Sequence, residues 1–427
     1  MRNGFFLTSV ILLCLEIASG LDKSTLKFAQ ILFRHGDRNP IRFRYLPNDP
    51  PELNIPWESN LKGELTQEGI QQMYSVGEHL RDRYGYLVDF TYNSSKVYVL
   101  TGTDNRTTAS ALTLLAGLFP PTEAQTWNRK LLWQPIPVHS EQIIDDSGFD
   151  IFEKCPTLRA IIDNDPGYLK MSADYQELIA YLEEHSGITI PNLRMLDKTV
   201  DNLLIREIHN DTHPLPSWAK KIQETTSFSN IKGSIQQVVY KIPGIHDVCG
   251  GWFFSQIASQ IEYYVHKHSK HKLYFYAGHD SNIFALYNLL KLGNVNSNEI
   301  MYFGSYLSVE LHQLDGKYYV QIWVREHLKG EPFFAPLGDC PDPCPLEKFL
   351  KLSPRVSTEQ WYPKCGMVED RSGSYRIATI ILSAICGFLL LVLFGSCSCY
   401  CASRRRLNRL TDPERRKLLE NQAQYIH

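Results

Sequence analysis

Apolar and polar positions alternate in five strand-like runs, at 25–33, 96–100, 272–277, 306–314 and 318–324, and helical spacing falls between several of them. Residues 67–84 follow Thr66, a residue type suited to an N-cap, and set Ile70, Met73, Val76, Gly77, Leu80 and Tyr84 along one face. That spacing predicts a helix packed on a sheet. Strands alternating with helices argue for an α/β domain, while the stretch from about 130 to 240, richer in helical pattern and loops, predicts a smaller cap. The chain shows no repeat and no low-complexity tract.

Two longer apolar runs stand outside this pattern. The first, at 5–15, lies behind Arg2 and ahead of Ala18-Ser19-Gly20, the form of a cleavable secretory signal over residues 1–20, with a mature start near Leu21. The second, at 377–394, is uncharged and continues through Ser403, about the 20 residues a bilayer crossing needs. Arg404, Arg405 and Arg406 follow at once, and positive charge stays on the cytoplasmic side. The expectation is a single-pass type I protein with 21–376 lumenal or extracellular, 377–403 in the membrane and 404–427 cytosolic.

At 427 residues, 43% hydrophobic, 12% aromatic and with a net charge of −2, the chain has the composition of a globular protein with appendages and gives no sign of nucleic-acid binding. An oxidising lumen permits disulfides. The expected ectodomain holds Cys155, Cys249, Cys340, Cys344 and Cys365, an odd set, and Cys340-Pro-Asp-Pro-Cys344 suits a local clip. Asn93, Asn105 and Asn210 begin glycan acceptor sequons.

Candidate chemistry sits where two strand-like runs end. Arg34-His35-Gly36-Asp37-Arg38-Asn39-Pro40 sets a histidine between two arginines. Guanidinium groups grip phosphate oxygens bidentately, and an unprotonated imidazole beside them can attack phosphorus. Gly36 permits close approach of the backbone to a ligand. The run ending Ala277-Gly278-His279-Asp280-Ser281 offers a second histidine and a proton donor for a leaving oxygen. A solvated basic loop would share the composition of the first motif, and a helix cap that of the second. Ligands of open α/β sheets bind beyond the carboxyl ends of strands, which allows both ends to serve one site.

These residues resemble the histidine acid phosphatases, most of all the membrane-anchored lysosomal and the prostatic kinds. The resemblance covers nearly the whole expected ectodomain and rests on Arg34 to Pro40, Gly63-Glu64-Leu65-Thr66-Gln67-Glu68-Gly69, Gly117-Leu118-Phe119-Pro120, Trp133-Gln134-Pro135-Ile136-Pro137-Val138-His139, Gly278-His279-Asp280 and Cys340-Pro341-Asp342-Pro343-Cys344-Pro345-Leu346. It implies a histidine-phosphatase-like fold, with a mainly parallel sheet flanked by helices and a mainly helical cap. It also implies a phosphate-monoester hydrolase that works without metal or cofactor through a phosphohistidine. By motif, His35 would be the nucleophile and Asp280 the general acid, with Arg34, Arg38, Arg106 and His279 holding the phosphate. The family usually reads Arg-Ser-Thr-Asp ahead of the Arg-Thr pair. Here Leu100-Thr101-Gly102-Thr103-Asp104-Asn105 precedes Arg106-Thr107, so the supports of Arg106 differ. A glycan beside Arg106 would obstruct the pocket, so Asn93 and Asn210 are the expected carriers and Asn105 is expected bare. Two of the family's usual bridges fall on Cys155–Cys365 and Cys340–Cys344, which leaves Cys249 as a buried free thiol.

In this scheme the three arginines spread the charge of a loose phosphoryl-transfer transition state and keep the His35 imidazole unprotonated in acid. Asp280 gives its proton to the leaving oxygen and then activates water. An acid-adapted enzyme suits a lysosomal or endosomal compartment, with the cell surface the other option. Glu414-Arg415-Arg416-Lys417-Leu418-Leu419 has the form of an acidic dileucine signal read by sorting adaptors. The tail also carries seven Lys or Arg against three Asp or Glu and would be drawn to anionic lipid. Cys397, Cys399 and Cys401 at the inner membrane edge are places where palmitoylation could occur. The expected partners are small phosphomonoesters, with a homodimer admitted but not required. A pocket that binds phosphate esters without turning them over is the alternative. A metal-dependent phosphatase is disfavoured, because the histidines lack dense ligand spacing and arginines would repel the ion.

Overall fold

The computed structural model describes residues 20–58, 61–148, 151–267, 269–296, 299–367, 372–410 and 412–425, with 372–378 as backbone only. The expected signal at 1–20 therefore lies outside the described residues, apart from Gly20. The chain divides into two units, Met1–Met367 and Val368–His427.

The first unit is built on a mixed sheet. Its strands are β1 Leu26–Arg34, β2 Val97–Thr101, β3 His139–Ser140, β4 Leu273–Gly278, β5 Tyr306–Leu314, β6 Lys317–Arg325, β7 Phe333–Phe334 and β8 Cys344–Pro345. The order is β3-β2-β4-β1-β5-β6-β7, with β8 also pairing β6. From β3 to β1 the strands are parallel; from β1 outward to β5, β6, β7 and β8 they are antiparallel. The parallel part is thus a core with an antiparallel extension, rather than the whole sheet.

Both faces of β1 are covered, which its period of two makes visible. Ala29, Ile31 and Phe33 pack with Met73, Val76, Leu80 and Tyr84 of α1 (Gln67–Tyr84) and with Ala111, Leu114 and Leu118 of α2 (Asn105–Leu118). Phe28 and Leu32 join the opposite layer, which holds α3 (Leu193–Ile208), α4 (Phe228–Tyr240), α5 (Pro243–Lys267) and α6 (Asp280–Leu290). The polar residue at mid-strand, Gln30, is buried and satisfied: its amide donates to the Ile257 carbonyl at 2.8 Å and its oxygen accepts from the Tyr276 hydroxyl at 2.9 Å.

Thr66 caps α1 as its type suggests, its hydroxyl accepting from the Gly69 amide at 3.0 Å. The buried face is not quite the expected one, because Ile70 is 47% exposed and Gly69 takes the inward position. A Cβ on Gly69 would stand 2.0 Å from the Asp37 carbonyl oxygen, and one on Gly36 would stand 2.4 Å from that of Gly69. Bare glycines on both sides let the start of α1 touch the backbone of the 35–38 loop.

Disulfides join Cys155 to Cys365, across 210 residues, and Cys340 to Cys344. Cys249 is free and buried, and burial pushes its thiol well above the ordinary range. The second unit contains the helix Ser372–Arg409, longer at both ends than the expected span, and the helix Asp412–Ala423. Within the first of these, Thr379–Arg409 is long and apolar enough to cross a membrane and buries none of its apolar window.

Candidate active site

Register places the two histidines side by side. Arg34 at the end of β1 pairs with Gly278 at the end of β4, and Thr101 of β2 pairs with Ala277, so the parallel strands finish together. Here the main chain turns into three loops. The His35 amide donates to the Gly278 carbonyl at 3.1 Å, and the His35 and His279 rings lie 5.5 Å apart, edge to face.

His35 is 2% exposed, and its Nδ1 lies 2.8 Å from the Gly36 carbonyl oxygen. A carbonyl only accepts, so Nδ1 carries the proton and Nε2 keeps the free lone pair. Burial first, then the charges of Arg106 and Arg34, push the imidazole well below its ordinary range.

Each buried arginine is held by a different part of the chain. Arg34 donates to the Met301 carbonyl, pairs through a terminal nitrogen with Asp280 Oδ2 at 3.1 Å, and lies 4.1 Å over the Phe303 ring. Met301 and Phe303 reach it because β5, which begins shortly after them, is the antiparallel neighbour of β1. Arg38 is gripped bidentately by Asp201 of α3, at 2.9 and 3.1 Å. Lys232 of α4 lies 3.6 Å from the same carboxylate and 2.8 Å from Asp197. Arg106 sits in the first turn of α2 and ion-pairs with Asp104. The buried Nε atoms of Arg34 and Arg38 have no hydrogen-bond partner among the described residues, an arrangement suited to an arriving anion.

The loop that departs from the family's usual reading has its own logic. Gly102 leaves space for Asp145, whose Oδ1 would otherwise stand 2.1 Å from a Cβ. The Asp145 carboxylate accepts from the Thr103 hydroxyl at 2.8 Å and the Asp104 amide at 3.2 Å, and its Oδ1 meets His279 Nε2 at 2.7 Å. His279 therefore spends on Asp145 the nitrogen that would otherwise be open to phosphate. Burial pushes Asp145 up, but its contacts with His279 and its hydrogen bonds from Thr103 together hold it below the ordinary value.

Asp280 opens α6 and is 5% exposed. Its Oδ1 accepts from the Ser281 amide at 2.9 Å and its Oδ2 from the Gln236 amide of α4 at 3.1 Å. Burial raises it, but Arg34 and Lys232 prevail and hold it below the ordinary carboxylate value. The structure thus gathers His35, Arg34, Arg38, Arg106, His279 and Asp280 about one point. Sequence reasoning missed their supports: Asp145, Asp201, Lys232, Gln236 and Phe303. Among these, Asp201 left a trace, as an acid on a helix face otherwise made of Leu193, Leu196, Val200 and Leu204.

Away from this point, Asn93 and Asn210 are exposed. Asn105 donates its side-chain amide to Glu64 at 2.8 Å. Glu414 lies in the helix Asp412–Ala423, where Leu418 and Leu419 are 47% and 53% exposed.

A buried cluster of guanidinium groups around an imidazole, at the carboxyl ends of parallel strands, defines a phosphate-handling class of protein. The chain belongs to the histidine phosphatase superfamily (branch 2), whose model matches residues 25–325. It is 31% identical over 367 residues to the prostatic acid phosphatase of Rattus norvegicus, covering 83% of this chain and 93% of that one. It is also 31% identical over 395 residues to the lysosomal acid phosphatase of the same species, covering 89% and 90%. The fold is similar to that of the Citrobacter braakii phytase, at 17% identity and a TM-score of 0.57 over 80% of this chain and 99% of that one. A Hafnia alvei phytase gives 18% and 0.57, covering 80% and 98%.

Proposed function

We propose that this chain is an acid phosphatase that hydrolyses phosphate monoesters through a covalent phosphohistidine on His35, without metal or cofactor. The observation that carries the reading is the His35 ring: Nδ1 is fixed on the Gly36 carbonyl, and Nε2 is left as a free base among Arg34, Arg38 and Arg106. In the first step the Nε2 lone pair forms a bond to phosphorus while the ester P–O bond breaks, and the leaving oxygen takes the Asp280 proton. In the second, water attacks phosphorus, the P–N electrons return to the ring, and the proton of water goes to Asp280.

In the ligand-free site Asp280 is held ionised chiefly by Arg34. A phosphoryl group that engages Arg34 withdraws that support and brings negative charge close, so the substrate itself favours the protonated acid. His35, meanwhile, stays unprotonated below the pH at which an ordinary histidine would charge. Activity is therefore expected to be greatest in acid and to fall as pH rises and Asp280 loses its proton. Asp104, Asp145 and His279 converge closely enough to suggest a metal site. Arg106 already ion-pairs with Asp104, and His279 Nε2 is already hydrogen-bonded to Asp145, which supports the metal-free reading.

The rest of the molecule is read in line with this. Residues 1–20 are a signal, 21–376 the lumenal or extracellular domain with a cap over roughly 130–240, 377–403 the membrane span and 404–427 the cytosolic tail. Glycans sit on Asn93 and Asn210, and the protein is lysosomal, endosomal or at the cell surface. The decisive test is rapid quenching of the protein with a phosphorus-labelled aryl phosphate, followed by mapping of the label. Label on the peptide holding His35, lost in His35→Ala, is the expected result. Brisk hydrolysis with label on another residue, or with none captured, would sink the proposal.

A further inference from the structure

Gln236 faces Asp280 from across the site, on a helix that the catalytic motifs do not reach. Its Nε2 donates to Asp280 Oδ2 at 3.1 Å, the same oxygen that Arg34 holds at 3.1 Å. A carboxylate can only accept, so the orientation of the amide matches an ionised Asp280. The other end of the amide, Oε1, is buried and has no hydrogen-bond partner among the described residues. An orphaned buried acceptor is costly and calls for a reason. Gln236 and Ser281 also line a cavity of about 40 Å³, together with Ile235, Tyr240 and Phe152. There is space, then, for the amide to turn about its last bond.

A carboxyl group that acts first as acid and then as base needs a neighbour able to serve both states. Fixed cations favour only the ionised one. The charged and titratable groups that bear on Asp280 are Arg34, Lys232, His279 and Arg38, with Asp197 and Tyr240 coupled to it from the cap side. Gln236, which keeps no charge at any pH, adds to this set both a donor and an acceptor on a plane that can rotate. We propose that Gln236 is the positioning residue of Asp280, donating through Nε2 to the ionised carboxylate and, after a half-turn of the amide, accepting through Oε1 from the protonated acid. The inference rests on the phosphatase reading above and deepens it.

Hydrolysis begins with the Asp280 O–H aimed at the ester oxygen or parked on Gln236 Oε1. As the P–O bond breaks, that proton and the bonding electron pair both end on the leaving alcohol, and Gln236 Nε2 takes up the bare carboxylate. Removal of the amide should therefore weaken the ionised form, raise the pH at which Asp280 gives up its proton, and leave the acid poorly aimed.

The test compares the full-length wild type with Gln236→Leu and with the near-isosteric Gln236→Glu, using an aryl and an alkyl phosphate from pH 3 to 8, with phosphohistidine trapping in parallel. In Gln236→Leu the alkaline limb of kcat/KM should move up by about one pH unit. Turnover of the alkyl ester, whose departure needs the proton, should fall about tenfold further than that of the aryl ester. Gln236→Glu, which adds a second carboxylate, should move the limb further still. Equal losses on both esters with unmoved limbs in both variants would overturn the proposal. If phosphohistidine forms normally in those variants, only the role of Gln236 falls. If the wild type forms none, the phosphatase reading falls and this inference with it.

Discussion

Arg38 serves a phosphate only if its guanidinium is already where the oxygens will be, and Asp201 keeps it there. The pair is buried on both sides, at 3% and 7% side-chain exposure, so solvent screens it little. Burial pushes Asp201 up, yet Arg38 and Lys232 hold it well below the ordinary carboxylate range. A carboxylate with a depressed folded pKa contributes stability above its unfolded value, about 3.9, and loses it only as pH falls through the lower folded value. The clamp should accordingly survive the acidity in which the enzyme is proposed to work. Asp201→Asn keeps the shape but loses the charge and one of the two acceptors. We expect kcat/KM for an aryl phosphate to drop about ten- to a hundredfold, and the thermal midpoint to fall as well, because Arg38 and Lys232 lose their buried counter-charge. An unchanged kcat/KM would show that Arg38 positions itself without Asp201.

Among the elements, the contact between α1 and the 35–38 loop is the tightest that bears on the site. Gly69→Ala would drive a methyl group to within 2.0 Å of the Asp37 carbonyl oxygen, so the helix start or the loop must retreat. We expect a stability loss of about 1–3 kcal/mol in chemical denaturation, and a fall in turnover larger than stability alone explains, because His35 and Arg38 ride on that loop. The same contact shows where the sequence is legible and where it is not. Thr66 and the spacing of Met73, Val76 and Leu80 announce the helix, since capping and periodicity are local. Nothing local says that Gly69 rather than Ile70 turns inward; that is decided by the backbone of Asp37, far from it in sequence. The site divides likewise. His35, Arg34, Arg38, His279 and Asp280 end β-runs in short dense motifs and can be read directly. Asp145, Asp201 and Gln236 lie among ordinary helical spacings and gain their meaning only when those helices close over the sheet.

At the scale of the whole molecule, a histidine phosphatase superfamily unit and an apolar helix with a basic tail lie in one chain. A helix of 31 residues that is long and apolar enough to span, and exposes its apolar side chains throughout, gains most from a surrounding bilayer. Beyond it, Leu418 and Leu419 are open to a partner. Replacing both with Ala should move steady-state protein toward the cell surface, as read by surface labelling, with ectodomain activity unchanged. A distribution identical to wild type would remove the sorting role. The Cys155–Cys365 bond encloses 210 residues of chain, including both α5 and β4. A protease that nicks an exposed loop anywhere inside that circuit produces two fragments that remain fastened together, so a clipped molecule would travel as a single band until a reductant separates its halves.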